Sequence, residues 1–141
     1  MHTLHSYTLA QMEKGLTEQF TVTITEEKMA AFCALSGDIS PIHLSESYAA
    51  GRGYPGRVCY GMLVASFFST LAGVYLPGEH CLLHSVETKF AKPVFIGDTL
   101  TITGVVEEVN AVFGEVTIKA QAVNQAGKKV CRATIKAGLA K

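Results

Sequence analysis

The chain has 141 residues, the length of one ordinary domain and enough to bury a core. Its 12 basic and 12 acidic residues cancel, which excludes the electrostatic footprint of a nucleic-acid binder or of a protein held on an anionic membrane. No run of like charge, low-complexity linker or internal repeat divides it.

The N-terminus, Met1-His2-Thr3-Leu4-His5, lacks the charged start and apolar stretch of a signal peptide, so cytoplasm is the default expectation. Residues 20–24 alternate apolar side chains with threonines, the pattern of a short strand. Thr25 follows as an N-cap, with Glu26 and Glu27 in the first turn, where the helix dipole favours negative charge. Met29, Phe32, Cys33 and Leu35 supply one apolar helical face, and Gly37 is placed to end it. Beyond the octapeptide Ser-Gly-Asp-Ile-Ser-Pro-Ile-His (36–43), Ser45 caps a short helix through Tyr48, Ala49 and Ala50 that Gly51 stops. Residues 51–57, with Pro55-Gly56 at their centre, read as a loop.

Residues 58–78 carry no charge, and their length matches a membrane span. Gly61, Gly73, Pro77, Ser66, Ser69 and Thr70 inside the stretch favour instead a helix buried in a domain, as does the lack of basic clusters at its ends. One long apolar helix closed by Pro77 and Gly78 is expected. From Cys81 onward the period becomes two. Leu82, His84, Val86, Thr88 and Phe90 share one face; Val116, Ile118, Ala120 and Ala122 share another, and Cys131, Ala133, Ile135 and Ala137 repeat the pattern. The connections near Gly97, Gly114 and Gly127 are hairpin-like. The fold class is α+β: an antiparallel sheet whose apolar face is covered by the long helix. The four cysteines, Cys33, Cys59, Cys81 and Cys131, form no C-x-x-C pair and are expected as reduced, buried side chains.

Asp38 and His43 are the first site candidates. On an ideal helix, five residues apart, they diverge by about 140°; in a plain strand they point to opposite faces. They converge only if the chain turns between them, and Pro41 forbids an uninterrupted helix while pushing Ser40 toward extended geometry. The structural alternative is a capping aspartate and a surface histidine. The functional one is a carboxylate and an imidazole that grip and deprotonate one water. The spacing fits no metal motif, and no G-x-S-x-G elbow supplies a serine nucleophile. Gly61 is the second candidate. At the first turn of a buried helix its N–H lacks a helical acceptor and can hold the oxyanion of a thioester enolate; tight packing is the alternative reading. Ser66 and Ser69 fit backbone bonds within the helix, although Ser69 can also line a pocket. His84 reads as a core or interface histidine, and His2, His5 and His80 as incidental. Arg52, Arg57, Lys89 and Lys92 are able to meet phosphates, with solvated charge the simpler reading.

Three stretches together, SGDISPIH (36–43), YGMLVASFFSTLAGVYLPG (60–78) and FAKPVFIGDTL (90–100), resemble the MaoC-like dehydratase family, close to the (R)-specific enoyl-CoA hydratases of the hot-dog fold. The resemblance covers residues 18–137 and implies that 1–141 form a single hot-dog domain, with the sheet wrapped around the helix. It also implies a homodimer, or a higher homo-oligomer, formed by pairing sheets edge to edge. The implied substrate is a trans-2-enoyl thioester on coenzyme A or an acyl carrier protein, hydrated to the (3R)-3-hydroxyacyl thioester, with no metal and no cofactor beyond the carrier. Asp38 and His43 match the family's catalytic pair, Gly61 the glycine whose amide binds the thioester oxygen, and Ser69 a serine found on the same helix. Three positions depart from the pattern: Ser40 replaces an asparagine, Ser45 an acidic residue, and Tyr60 the histidine before Gly-Met-Leu. Tyr60 is thereby a substrate-side position of altered chemistry. A hot-dog acyl-CoA thioesterase and a non-catalytic acyl-thioester binder are the rival readings.

Overall fold

A computed structural model describes residues 2–140. Five strands form one antiparallel sheet: β1 (Thr17–Thr23), β2 (Cys81–Phe90), β3 (Thr99–Asn110), β4 (Glu115–Val123) and β5 (Lys129–Leu139), in the order β1-β3-β4-β5-β2. Among the described residues the four α-helices all lie between β1 and β2 in the chain: α1 (Glu26–Ser36), α2 (Pro41–Leu44), α3 (Glu46–Gly51) and α4 (Gly61–Thr70). The alternation read from β4 and β5 is realised. Val116, Ile118, Ala120 and Ala122 face the core with Cys131, Ala133, Ile135 and Ala137, whereas Lys119, Arg132 and Lys136 face outward. This is the α+β architecture expected, with the apolar helix against the sheet.

Helix α4 packs on that inner face through Leu63, Val64 and Phe68, continued by Leu71 and Ala72, all buried. Gly104 on β3 makes the close approach possible, because a Cβ there would stand 2.8 Å from Leu71 Cδ2 and 3.2 Å from Ile118 Cγ2.

The long helix is shorter than expected. It ends at Thr70, and Leu71–Tyr75 wind in a wider π-turn, with Leu76 N–H donating to Leu71 O at 2.8 Å. Gly73 weakens a regular helix and Pro77 brings no N–H to continue one. The N-terminal segment takes up carbonyls that this leaves free: His5 N–H donates to Val74 O (2.7 Å) and Tyr7 N–H to Pro77 O (3.0 Å). Among the described residues no helix is long and apolar enough to cross a membrane.

Strand β2 also departs from expectation. Its apolar residues predicted a half-buried strand, yet Leu82 (51%), Leu83 (47%) and Phe90 (53%) are exposed. The cause is its place at the sheet edge, where the protomer offers nothing to cover it, and its register with β5 shifts between Leu83 and Ser85. All four cysteines are free thiols.

The contact between Gly104 and Leu71 gives a stability prediction. Gly104→Ala lowers unfolding free energy by about 1–3 kcal/mol through overpacking. Combining it with Leu71→Ala costs less than the sum of the two single changes, since each relieves the other, as urea denaturation of the four proteins will show.

Candidate active site

Thr25 caps α1 by accepting from Lys28 N–H (3.2 Å), and Gly37 ends the helix in the left-handed region, at φ +74°. The chain then reverses into the octapeptide. Asp38 Oδ1 accepts from Ser40 N–H at 3.0 Å, a local turn that precedes Pro41 at the first position of α2. One carboxylate oxygen is thus spent on the turn, as the structural alternative supposed. The carboxylate still lines, with His43, a cleft of about 290 Å³. The Ser40 N–H above all, then the Ser40 side chain and the nearby His43, hold the Asp38 carboxyl below its ordinary value. It is ionised at neutral pH.

His43 sits in α2, half-buried, with Nδ1 2.7 Å from the Val58 carbonyl oxygen. A carbonyl only accepts, so Nδ1 carries the proton and Nε2, at the opposite edge of the ring, keeps a lone pair. The backbone of His43 is itself tied down. Arg57 Nε donates to His43 O (2.8 Å), and Arg57 Nη1 donates to both carboxylate oxygens of Glu26 (2.9 Å each). Arg57, read from sequence as a solvated charge with a possible phosphate role, is 15% exposed and acts inside the fold as a brace between α1 and α2.

Tyr60 is the N-cap residue of α4 and is 1% exposed. Its hydroxyl donates to the Asp38 backbone oxygen at 2.8 Å, and its ring lies 4.1 Å from the His43 ring at 30°. Phe32 of α1 packs against its ring, with centroids 4.8 Å apart. Its hydroxyl is therefore committed to the backbone, and its ring lines the Asp38–His43 cleft. Burial, then the neighbouring Cys33 thiol, pushes the phenol up to about 12.

Gly61 opens α4. Leu63 and Val64 donate back to Tyr60 O (3.1 and 3.2 Å), but among the described residues no acceptor meets the Gly61 N–H. The missing Cβ also makes room for Phe90, whose ring carbons would lie 3.1–3.3 Å from a Cβ at this position. Gly61 lines the Asp38–His43 cleft and a second, mainly apolar cavity of about 380 Å³ bounded by Val58, Val64, Val94 and Cys131; His43 and Phe90 border both. Cys59 and Cys131 border that cavity, and burial, which pushes their thiols up to about 12 and about 11, disfavours the thiolate form. Ser69, two turns along α4, is exposed and lies outside both cavities in this protomer; Ser66 bonds back to Leu63 O (2.5 Å). Ser45 caps α3 through Tyr48 N–H (3.1 Å). Among the described residues no three His, Cys, Asp or Glu side chains converge to hold a metal ion.

The structure thus brings Asp38, His43, Tyr60 and Gly61 together. Residues 8–128 match the MaoC like domain. The chain belongs to the MaoC-like family. Two MaoC-like relatives are the (R)-specific enoyl-CoA hydratases of Rhodospirillum rubrum and Aeromonas caviae. The first is 37% identical over 69% of this chain and 70% of its own length, the second 37% identical over 64% and 67%. Among solved structures, the R-hydratase PhaJ1 of Pseudomonas aeruginosa superposes with a TM-score of 0.92 at 29% identity, covering 98% of this chain and 88% of that one. Such neighbours share the hot-dog fold. Phe90, Phe32, the Arg57–Glu26 brace and the Val58 carbonyl were missed by sequence reasoning, and for a backbone acceptor no residue type could have signalled it.

Tyr60→Phe is expected to lower unfolding free energy by about 0.5–1.5 kcal/mol, the usual worth of one hydrogen bond. An unfolded tyrosine titrates near 10, below the folded value of about 12. The contribution of Tyr60 is therefore whole below pH 10 and lost as pH rises toward 12. Urea unfolding followed across that range will show a steeper alkaline decline in the parent protein than in Tyr60→Phe.

Proposed function

We propose that the protein is an (R)-specific enoyl-thioester hydratase, working as a single catalytic domain. It adds water to a trans-2-enoyl thioester and, in reverse, dehydrates the (3R)-3-hydroxyacyl thioester. The observation that carries this reading is one cleft holding two proton acceptors, an Asp38 carboxylate oxygen and His43 Nε2, beside the unpartnered Gly61 N–H. The hydratase names of the relatives support the same chemistry.

Roles follow within this reading. A water that donates one hydrogen to Asp38 and the other to His43 Nε2 presents its oxygen lone pair to C3 of the substrate. The depressed carboxyl of Asp38 is the poorer base, so it orients the water while His43 takes the proton as the C3–O bond forms. The C2=C3 electrons move onto the thioester carbonyl, and the Gly61 N–H at the start of α4 meets the developing oxyanion. The imidazolium then gives its proton to C2 on the same face, which makes the addition syn and returns His43 to its starting form. Hydroxyl and proton both come from water, so the reaction balances without a redox or group-transfer cofactor. Meanwhile the Tyr60 ring faces the imidazole and favours its transient positive charge.

The reading extends to a homodimer. The β2 edge presents unpaired backbone groups together with exposed Leu82, Leu83, Val86 and Phe90, a surface that a second copy would cover by adding its own β2. Higher assemblies of such dimers are compatible with it. Four free thiols fit a reducing compartment such as the cytoplasm.

Asp38→Asn and His43→Gln should each lower kcat for hydration by about 10²–10⁴-fold, read from the loss of enoyl absorbance. Free thiol must not appear; its release in step with turnover would favour thioester hydrolysis instead. For the assembly, light scattering should give twice the 15.1 kDa chain mass, and Val86→Lys, a charge on the pairing edge, should shift it to monomer.

A further inference from the structure

Arg57 lines neither of the cavities that His43 borders, yet three hydrogen bonds join residues 57 and 58 to Ile42 and His43. Val58 N–H donates to Ile42 O (3.1 Å), His43 Nδ1 to Val58 O (2.7 Å) and Arg57 Nε to His43 O (2.8 Å). The same short stretch is fixed from its other side. Val58 bridges to Phe95, and Cys59 N–H donates to Val94 O at 2.6 Å. Residues 57–59 thus form an anchored rail against which α2 is laid. That helix has four residues, a single turn with little stability of its own, so it takes its orientation from such bonds.

Most of these bonds run through the main chain and are open to any residue. The side chain at position 57 is the part that the sequence chooses. Its other end reaches Glu26 at the start of α1, with both carboxylate oxygens 2.9 Å from Nη1. Helix α1 is closed by Gly37, immediately before Asp38. One guanidinium therefore links the helix that delivers Asp38 to the turn that carries His43. Arginine suits the task because its donors sit on separate nitrogens of one rigid plane, here aimed at a carbonyl and at a carboxylate. The two ends differ in strength. The Arg57 side chain is 15% exposed and that of Glu26 66%, so water competes far more freely at the Glu26 end.

We propose that Arg57 is a positioning residue for proton transfer at His43, with Glu26 as its outer support. The role rests on the hydratase reading, in which His43 Nε2 takes the proton of water as the C3–O bond forms. Arg57 touches neither water nor thioester. It holds the His43 main chain so that Nδ1 stays on the Val58 carbonyl and Nε2 stays aimed into the cleft. Such geometry tolerates little drift, since a displacement of about 1 Å can cost about a hundredfold in rate.

Hydration kinetics test this. Arg57→Ala should lower kcat by about 10²-fold and leave KM within about twofold of the parent. Arg57→Lys keeps the charge but puts one nitrogen in place of two, and should recover little of the loss. Glu26→Gln should cost about fivefold at most, as suits a largely exposed ion pair. In a His43→Gln background Arg57→Ala should take nothing further from the residual rate, whereas a general loosening of the fold would. Nitrogen NMR of the substrate-free protein reads the same device without turnover. The parent should show His43 protonated on Nδ1, and both Arg57 variants a mixture of the two tautomers. Parental kcat in Arg57→Ala overturns the proposal, as does full rescue by Arg57→Lys or an equal loss in the His43→Gln background. Should Arg57→Ala not fold, an unchanged His43 spectrum in Arg57→Lys overturns it. If the tautomers mix in the variants while the parent hydrates no enoyl thioester, the positioning of His43 by Arg57 stands and the hydratase reading falls.

Discussion

The hydrogen bond from His43 Nδ1 to the Val58 carbonyl, at 2.7 Å, fixes the orientation of the imidazole in the cleft. A histidine free to rotate would share its proton between two nitrogens and offer no fixed base. With Nδ1 donating to an acceptor that has no proton of its own, the neutral ring has its lone pair on Nε2. Everything around serves this one bond. Arg57 ties the His43 backbone to Glu26 at the start of α1, and the Tyr60 ring lies against the imidazole. The Tyr60 hydroxyl, 2.8 Å from the Asp38 carbonyl oxygen, fixes the loop that carries the second acceptor. Helix α4 completes the arrangement because its first N–H groups have no helical partner, and burial of Leu63, Val64 and Phe68 against the sheet holds that end still.

Much of this was legible in the residues. Thr25, Gly37 and Ser45 announced their caps, and each acts as one. The alternation from Val116 to Ala122 and from Cys131 to Ala137 specified which faces are buried, since a strand has only two. Pro41 leaves Asp38 and His43 no regular geometry, only a turn, but the residues alone left a capping aspartate and a surface histidine open; the resemblance to the MaoC-like family singled out the pair. Three features were not legible, for distinct reasons. The Val58 carbonyl is present at every residue, so nothing in the side-chain code marks it as special. The change from α to π winding after Thr70 is accompanied by tertiary bonds from His5 and Tyr7 to Val74 and Pro77, partners that a local apolar pattern cannot register. The exposure of β2 follows from its position in the sheet order, which alternation within one strand does not encode.

The two faces of the sheet present different surfaces. Phe90, close to Gly61, borders both the Asp38–His43 cleft and the apolar cavity on the inner side, while its neighbour Lys89 faces the opposite way beside Lys119, Lys129 and Arg132. Period two makes this inevitable: adjacent residues on a strand belong to different environments. Changes at one position of the β2–β5 pair can therefore alter the polar surface without touching the apolar cavity.

The wide turn at Leu71–Tyr75 carries a consequence for how such a chain can vary. In an unbroken α-helix, one residue gained or lost at the far end must be absorbed as a rotation of about 100° somewhere along it. A turn that already departs from the regular repeat is a joint where this phase error can be taken up. The segment beyond it is secured by its own bonds to His5 and Tyr7, and so does not depend on the phase of α4. Length changes near Gly73 are thereby uncoupled from the start of the helix, where Tyr60 and Gly61 must stay in register with His43.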